Sequence, residues 1–183
     1  MSNAVLSMKS TLHTQQVYLI TDLLGKENAT YAGLFGQMLS PQQSLQLIDV
    51  CELAGIDVSH SESIKHRQFL DFGIHRAVEA LKKYADPSGI FIGCSIGGLI
   101  LWKAALKGLN FQKFIAIAST RLRFETDHPQ GEFKLYFGTL DPNNPDTSWF
   151  SLLNDHNYQF LDGDHYIYTQ PEFIRHICLE LNQ

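Results

Sequence analysis

The sequence is short of several features that would place a chain in a familiar class. Only three cysteines occur in 183 residues, Cys51, Cys94 and Cys178, far apart and without CxxC or zinc-type spacing. That excludes a disulfide-stapled scaffold, and an odd, sparse set of thiols fits a reducing compartment. No run of basic residues appears and the net charge is -5, so nucleic acid is not expected as a partner. The apolar stretches are broken by glycine or lysine well short of a membrane span. The opening "MSNAVLSMKSTLHTQQ" is polar and lacks a continuous apolar core, so no secretory signal is read there and the cytoplasm is the expected location. Neither GxGxxG nor GxxxxGK[ST] follows the first apolar run, which speaks against a nucleotide-binding domain. No cluster of carboxylates and histidines has metal-ligand spacing, so no metal is expected. Internal repeats and low-complexity tracts are absent.

What is present is an ordinary globular balance, with 44% hydrophobic and 18% charged residues. A chain of this length buries one proper core and is too short for two. A single domain is expected over residues 16–183, behind a disordered or tag-derived tail over residues 1–15 in which Ser2-Asn3-Ala4 matches a cloning scar. Val17 to Ile20 read as a strand. "NATYAGLFGQML" places Tyr31, Leu34, Phe35 and Met38 at helical spacing, with Asn28 or Thr30 positioned to cap it and Pro41 to end it. "SLQLIDV" reads as a strand. "FLDFGIHRAVEALKKY" reads as an amphipathic helix with Phe69, Phe72, Ala77, Ala80 and Leu81 toward the core. "GIFIG" is an apolar strand of the kind buried on both faces, and "GGLILWKAALKG" is a helix closed by Gly108. "FQKFIAIAST", "EFKLYFGTLDP" and "NYQFLDGDHY" supply three more strands. Between them lie an irregular link, "RLRFETDHPQG", and a short helix, "SWFSLLNDH". "PEFIRHICLEL" closes the chain as a helix with Pro171 in its first turn. Alternation of strands and helices predicts a doubly wound, mostly parallel α/β sheet with helices on both faces.

Ligands bind at the carboxyl ends of strands in such sheets. Ser95 falls there, between "GIFIG" and "GGLILW". Asp141 follows "KLYFGTL", and His165 follows "YQFLDGD". Three residues at three strand ends can converge on one point. A serine hydroxyl is a weak nucleophile until a base takes its proton, an imidazole titrates near neutrality, and a carboxylate fixes the imidazole tautomer. Glycines at 93 and 97 leave room for a turn that forces Ser95 into strained geometry. Taken alone, the pattern is equally that of a plain tight turn. His156 competes with His165 but precedes the last strand. Asp146, Asp162 and Asp164 compete with Asp141, the last two as shapers of the histidine turn.

With these residues in view, the chain resembles the α/β-hydrolase superfamily. Gly93-Cys94-Ser95-Ile96-Gly97 matches its G-x-S-x-G nucleophile elbow. "GTLDP" is similar to its acid loop and "DGDHY" to its histidine loop, and the resemblance runs from about residue 16 onward. It implies Ser95 as nucleophile, Asp141 as acid and His165 as base, with no cofactor. It implies oxyanion donors in the Ile96 amide and in the loop after "VYLITD", at Leu23 or Leu24. That loop departs from the family's His-Gly pattern: it reads Thr21-Asp22-Leu23-Leu24-Gly25 and sets a carboxylate, Asp22, beside a site for negative charge. Only 46 positions separate Ser95 from Asp141, too few for an inserted lid, so a minimal hydrolase without a cap domain is expected. Its substrate would be a small-molecule acyl ester or thioester. The rival expectation is a non-catalytic binding protein on the same scaffold. Cys94, at the variable position of the elbow, is expected to be buried and structural. Tyr31, Phe35, Phe124, Trp149, Phe150 and Tyr166 are candidates for lining an acyl pocket, or for core and rim.

Overall fold

Six apolar runs form one all-parallel sheet: β1 (Gln15–Ile20), β2 (Gln43–Ile48), β3 (Asp86–Cys94), β4 (Phe111–Ile117), β5 (Glu132–Gly138) and β6 (Tyr158–Leu161). The computed structural model describes residues 14–151 and 153–182, so most of the tail expected over residues 1–15 lies outside the described residues. Strand order is β2-β1-β3-β4-β5-β6. The chain starts inside the sheet at β1, steps out to β2, then returns past β1 to lay down β3 on its other side. That reversal opens a crevice at the carboxyl edge between β1 and β3. Register sets Ile20 beside Gly93, Gly93 beside Ala116, Ile117 beside Tyr136, and Gly138 beside Leu161. The loops that follow β1, β3, β5 and β6 therefore leave from one edge.

The two faces of the sheet carry separate cores. Leu19, Ile92, Ile115 and Tyr136 pack with Phe35 of α1 (Tyr31–Met38) and Ile174 and Ile177 of α7 (Pro171–Glu180). Ile20, Phe91, Phe114 and Leu135 pack on the other face with α2 (Val50–Ala54), α4 (Ile74–Leu81) and α5 (Ile96–Leu106). Strands buried on both faces need no polar alternation, which is why β3 reads as a continuous apolar run. The doubly wound α/β class expected from the sequence is what the structure has. Among the described residues, no helix is long and apolar enough to cross a membrane.

Several local expectations are corrected. "SLQLIDV" does not run as one strand: Asp49 accepts hydrogen bonds from the amides of Cys51 (2.7 Å) and Glu52 (3.3 Å), which ends β2 and starts α2. The helix expected from Phe69 begins earlier, as α3 (Glu62–Gln68), and reaches α4 through a π turn, Phe69–Gly73. That extra residue per turn shifts the buried face. Val78 takes a core place, and Phe72 and Ala80 are only half-buried. Thr30 sits at the N-cap of α1 with helical backbone angles and no side-chain bond, while the Asn28 amide donates back to the Leu24 carbonyl, so neither side chain caps that helix. The helix expected over "SWFSLLNDH" is the single turn α6 (Thr147–Phe150).

Phe91 is fully buried and stacks on Tyr18 at 4.4 Å. Phe91→Ala is expected to cost about 3–5 kcal/mol in urea unfolding. Leu140→Ala, at a position 72% exposed, should change stability by no more than about 0.5 kcal/mol. Equal effects would refute this placement of the core.

Candidate active site

The turn from β3 into α5 is built on close approach. Ser95 has φ 53 and ψ -119, a backbone region that costs a non-glycine residue roughly 1–3 kcal/mol. Its amide donates to the Ile117 carbonyl of β4 (2.9 Å), and its carbonyl accepts the first bond of α5, from Gly98 (3.1 Å). A Cβ on Gly93 would lie 2.7 Å from the Gly97 carbonyl oxygen, and one on Gly97 would overlap the Thr21 carbonyl oxygen at the end of β1. The second contact is not a crowding within the turn. It is the neighbouring strand, and it locks the start of α5 against the loop that follows β1. Cys94 points into the core beneath, and burial pushes its thiol well above the usual range.

Asp141 and His165 reach the same point from the far side of the sheet. The loop after β5 is tied to the loop after β6 by backbone bonds from Thr139 to Leu161 and from Leu140 to Gly163, both 2.9 Å. His165 Nδ1 lies 2.7 Å from Asp141 Oδ2, and His165 Nε2 lies 3.0 Å from Ser95 Oγ. Ser95 and Asp141 are 6% and 5% exposed. Burial alone would raise the Asp141 carboxyl, but hydrogen bonds from His165 and the Asn143 amide outweigh it and hold the group below the usual carboxylate range. An ionised carboxylate only accepts. Nδ1 must then carry a proton, which leaves the Nε2 lone pair of a neutral ring facing the serine hydroxyl. The competing residues are elsewhere or otherwise engaged. His156 sits before β6, in a single turn, Asp155–Asn157, at the strand's other end. Asp146 caps α6, and Asp164 accepts from the Tyr166 amide.

The loop Thr21–Gly25 forms the other wall. Its amides have distinct fates. Asp22 donates to the Tyr31 hydroxyl (3.0 Å), and Leu24 donates to the Asp22 carboxylate (2.9 Å). Among the described residues, no acceptor meets the amides of Leu23 and Ile96. The second carboxylate oxygen of Asp22 accepts from the Tyr168 hydroxyl (3.0 Å), so one buried acid ties the first loop to the histidine loop. Burial pushes the Asp22 carboxyl above the usual range, against the pull of the Leu24 amide, the Tyr168 hydroxyl and the nearby His165 and Lys65 side chains.

Ser95 and His165 open onto a cleft of about 420 Å³. Its walls include Leu23, His66, Leu70, Arg121 and Tyr166. Of the six candidate aromatics, only Tyr166 lines it. Tyr31, Phe35, Trp149 and Phe150 are buried in the cores, and Phe124 is exposed outside the cleft. Sequence reasoning missed Tyr168, Lys65, Arg121 and Arg123. Tyr168 carried a weak signal, as a second tyrosine in "HYIYT", three residues beyond His165. The others carried none.

Two outcomes test this geometry. Gly97→Ala must displace Thr21 or the start of α5, and is expected to cost about 1–3 kcal/mol in urea unfolding; an unchanged midpoint would contradict the close approach. Folded, Asp22 keeps its proton above the ordinary value of 3.8. Its contribution to stability is therefore fully present below that pH and is lost as pH rises through the raised value. Asp22→Asn keeps an oxygen for the Leu24 amide and cannot ionise. The stability of wild type relative to this variant should fall as pH rises above the ordinary carboxyl value of 3.8, and a flat difference would show that burial does not control the group.

No protein-family model and no curated protein sequence matches the chain. Its backbone is similar to those of many solved structures. A candidate hydrolase of the alpha/beta superfamily from Xanthomonas campestris pv. campestris superposes with a TM-score of 0.68 at 11% identity, over 92% of this chain and 96% of that one. A lidless α/β serine hydrolase from Xanthomonas campestris gives 0.61 at 14% identity, over 94% and 83%. The RedJ thioesterase of prodiginine biosynthesis from Streptomyces coelicolor gives 0.60 at 10% identity, over 92% and 89%. At these identities the likeness is one of backbone, and it extends over almost the whole chain: this protein has the α/β-hydrolase fold, with no cap domain among its described residues.

Proposed function

We propose that the protein is a serine hydrolase that cleaves a carboxylic ester or thioester. The observation that carries this reading is the unbroken chain of contacts from Ser95 Oγ through His165 to Asp141, 3.0 Å and then 2.7 Å. Ser95 attacks the carbonyl carbon as His165 Nε2 takes its proton. Asp141 holds the tautomer and stabilises the imidazolium. The carbonyl oxygen becomes an oxyanion that accepts from the amides of Ile96 and Leu23. Ile96 opens α5, so the helix dipole adds to its donor. His165 returns the proton to the alcohol or thiol as it leaves. A water, deprotonated by the same imidazole, then releases the acid and frees the serine. The reading needs no cofactor.

Leu23 is the better second donor than Leu24, because the Leu24 amide is already bonded to Asp22. The neighbours named as a serine hydrolase and a thioesterase favour acyl transfer over other chemistry on this scaffold. A binding protein on the same fold would have no use for an imidazole held against a serine. The three cysteines are buried free thiols, which suits a cytoplasmic location.

A fluorophosphonate probe should label the wild-type protein at Ser95 and spare Ser95→Ala. Asp141→Asn should lower kcat on p-nitrophenyl butyrate by about 10³–10⁴-fold, because the wrong tautomer then faces the serine. Folded wild-type protein that is neither labelled nor active on esters or thioesters would overturn the proposal.

A further inference from the structure

The link after β4 gives the cleft a charged wall that the mechanism does not use. Two residues there, Ala118 (φ 45) and Arg121 (φ 69), hold the left-handed backbone that non-glycine residues rarely adopt. Arg121 and Arg123 both line the cleft that contains Ser95 and His165. Each guanidinium carbon lies 4.8 Å from the centre of the Phe124 ring, so one ring supports both. Arg123 is fixed further by donating to the Asn143 carbonyl at 2.8 Å. The acid between them and the next strand is already engaged: Glu125 pairs with Lys103 at 2.7 Å. Among the described residues, neither arginine pairs with a carboxylate. The other acidic and imidazole side chains lining the cleft are Glu62 and His66 of α3, Asp22 beside the serine, and His165.

Two like charges held on one ring repel each other, and in a chain of net charge -5 they are not part of a general basic surface. An anion in reach of both would relieve that repulsion. Guanidinium forks match the paired oxygens of a carboxylate or a phosphate, and Arg121, half-buried, and Arg123, exposed, leave a route for one from solvent. We propose that Arg121 and Arg123 form a subsite for an anionic group of the substrate, so that the preferred ester or thioester carries a carboxylate or phosphate near the bond to be cleaved. The inference rests on the serine-hydrolase reading for its kinetics, but the subsite can be tested without catalysis.

Two matched pairs separate the sources of the anion. Mono-p-nitrophenyl succinate against p-nitrophenyl butyrate asks for a carboxylate on the acyl side. Butyryl-coenzyme A against the N-acetylcysteamine thioester of butyrate asks for phosphate on the leaving group. For at least one pair, kcat/KM should favour the charged member by about 10-fold or more, mainly through KM, and the ratio should shrink as salt is raised. Arg121→Gly removes the guanidinium while easing the left-handed backbone, so a misfolded protein is not its expected result. Arg123→Gln keeps a donor for Asn143. Either change should bring the ratio toward one, whereas Lys83→Gln, which removes a cation outside the cleft, should leave it intact. Ratios near one in the wild type, or ratios unaffected by either arginine variant, would overturn the proposal. If neither pair is turned over, fluorophosphonate labelling of Ser95 reports on the hydrolase reading. The subsite is then judged by calorimetric titration of Ser95→Ala with monomethyl succinate, coenzyme A and neutral dimethyl succinate. Binding of a charged ligand alone, lost in Ser95→Ala/Arg121→Gly, supports it; no binding, or equal binding of the neutral diester, refutes it.

Discussion

Helix α5 starts so close to the end of β1 that Gly97 leaves no space for a methyl group beside the Thr21 carbonyl. The rest of the cleft follows from this contact. It fixes the distance between the turn that carries Ser95 and the loop that carries Leu23, so Leu23 and Ile96, from distant parts of the chain, line one cleft. The strand order makes the contact available, since β1 and β3 are neighbours only because the chain reverses direction after β2. A wider separation would leave the serine in place and its opposite wall out of reach.

Polar ties hold the other dimension. Asp22 receives the Leu24 amide on one oxygen and the Tyr168 hydroxyl on the other, and its own amide donates to Tyr31. A buried carboxylate is costly unless its lone pairs are filled, and here filling them joins the first loop to the segment after His165. The backbone strain at Ser95, Ala118 and Arg121 is concentrated in the same region. Fully buried strands on both sides absorb it.

Legibility in the sequence followed the kind of signal each feature carries. The apolar run of β3 and the two glycines around Ser95 are local patterns, and Asp141 and His165 could be set at strand ends because their strands were readable. Helix α3 was not, because "ESIKHRQ" has no apolar face: its buried member is Lys65, which hides a long hydrocarbon stem. The π turn is a one-residue shift that helical periodicity cannot register, and it misplaced Phe72 and Ala80. The choice between Leu23 and Leu24 was closed to sequence reasoning because it concerns amides, and only the Asp22 side chain separates them. The pairing of Arg121 and Arg123 at one aromatic ring depends on a backbone angle that a non-glycine residue does not announce.

β6 has a consequence for how this site fails. It is four residues long and lies at the edge of the sheet, yet the loop that bears His165 hangs from it. Edge strands open at lower free energy than the strands they flank. Fraying there withdraws the imidazole from Ser95 while β1, β3 and α5 keep their packing. A local opening at the edge of the sheet would thus part the two side chains before the chain unfolds, so the integrity of the centre depends on its outermost strand as well as on its core.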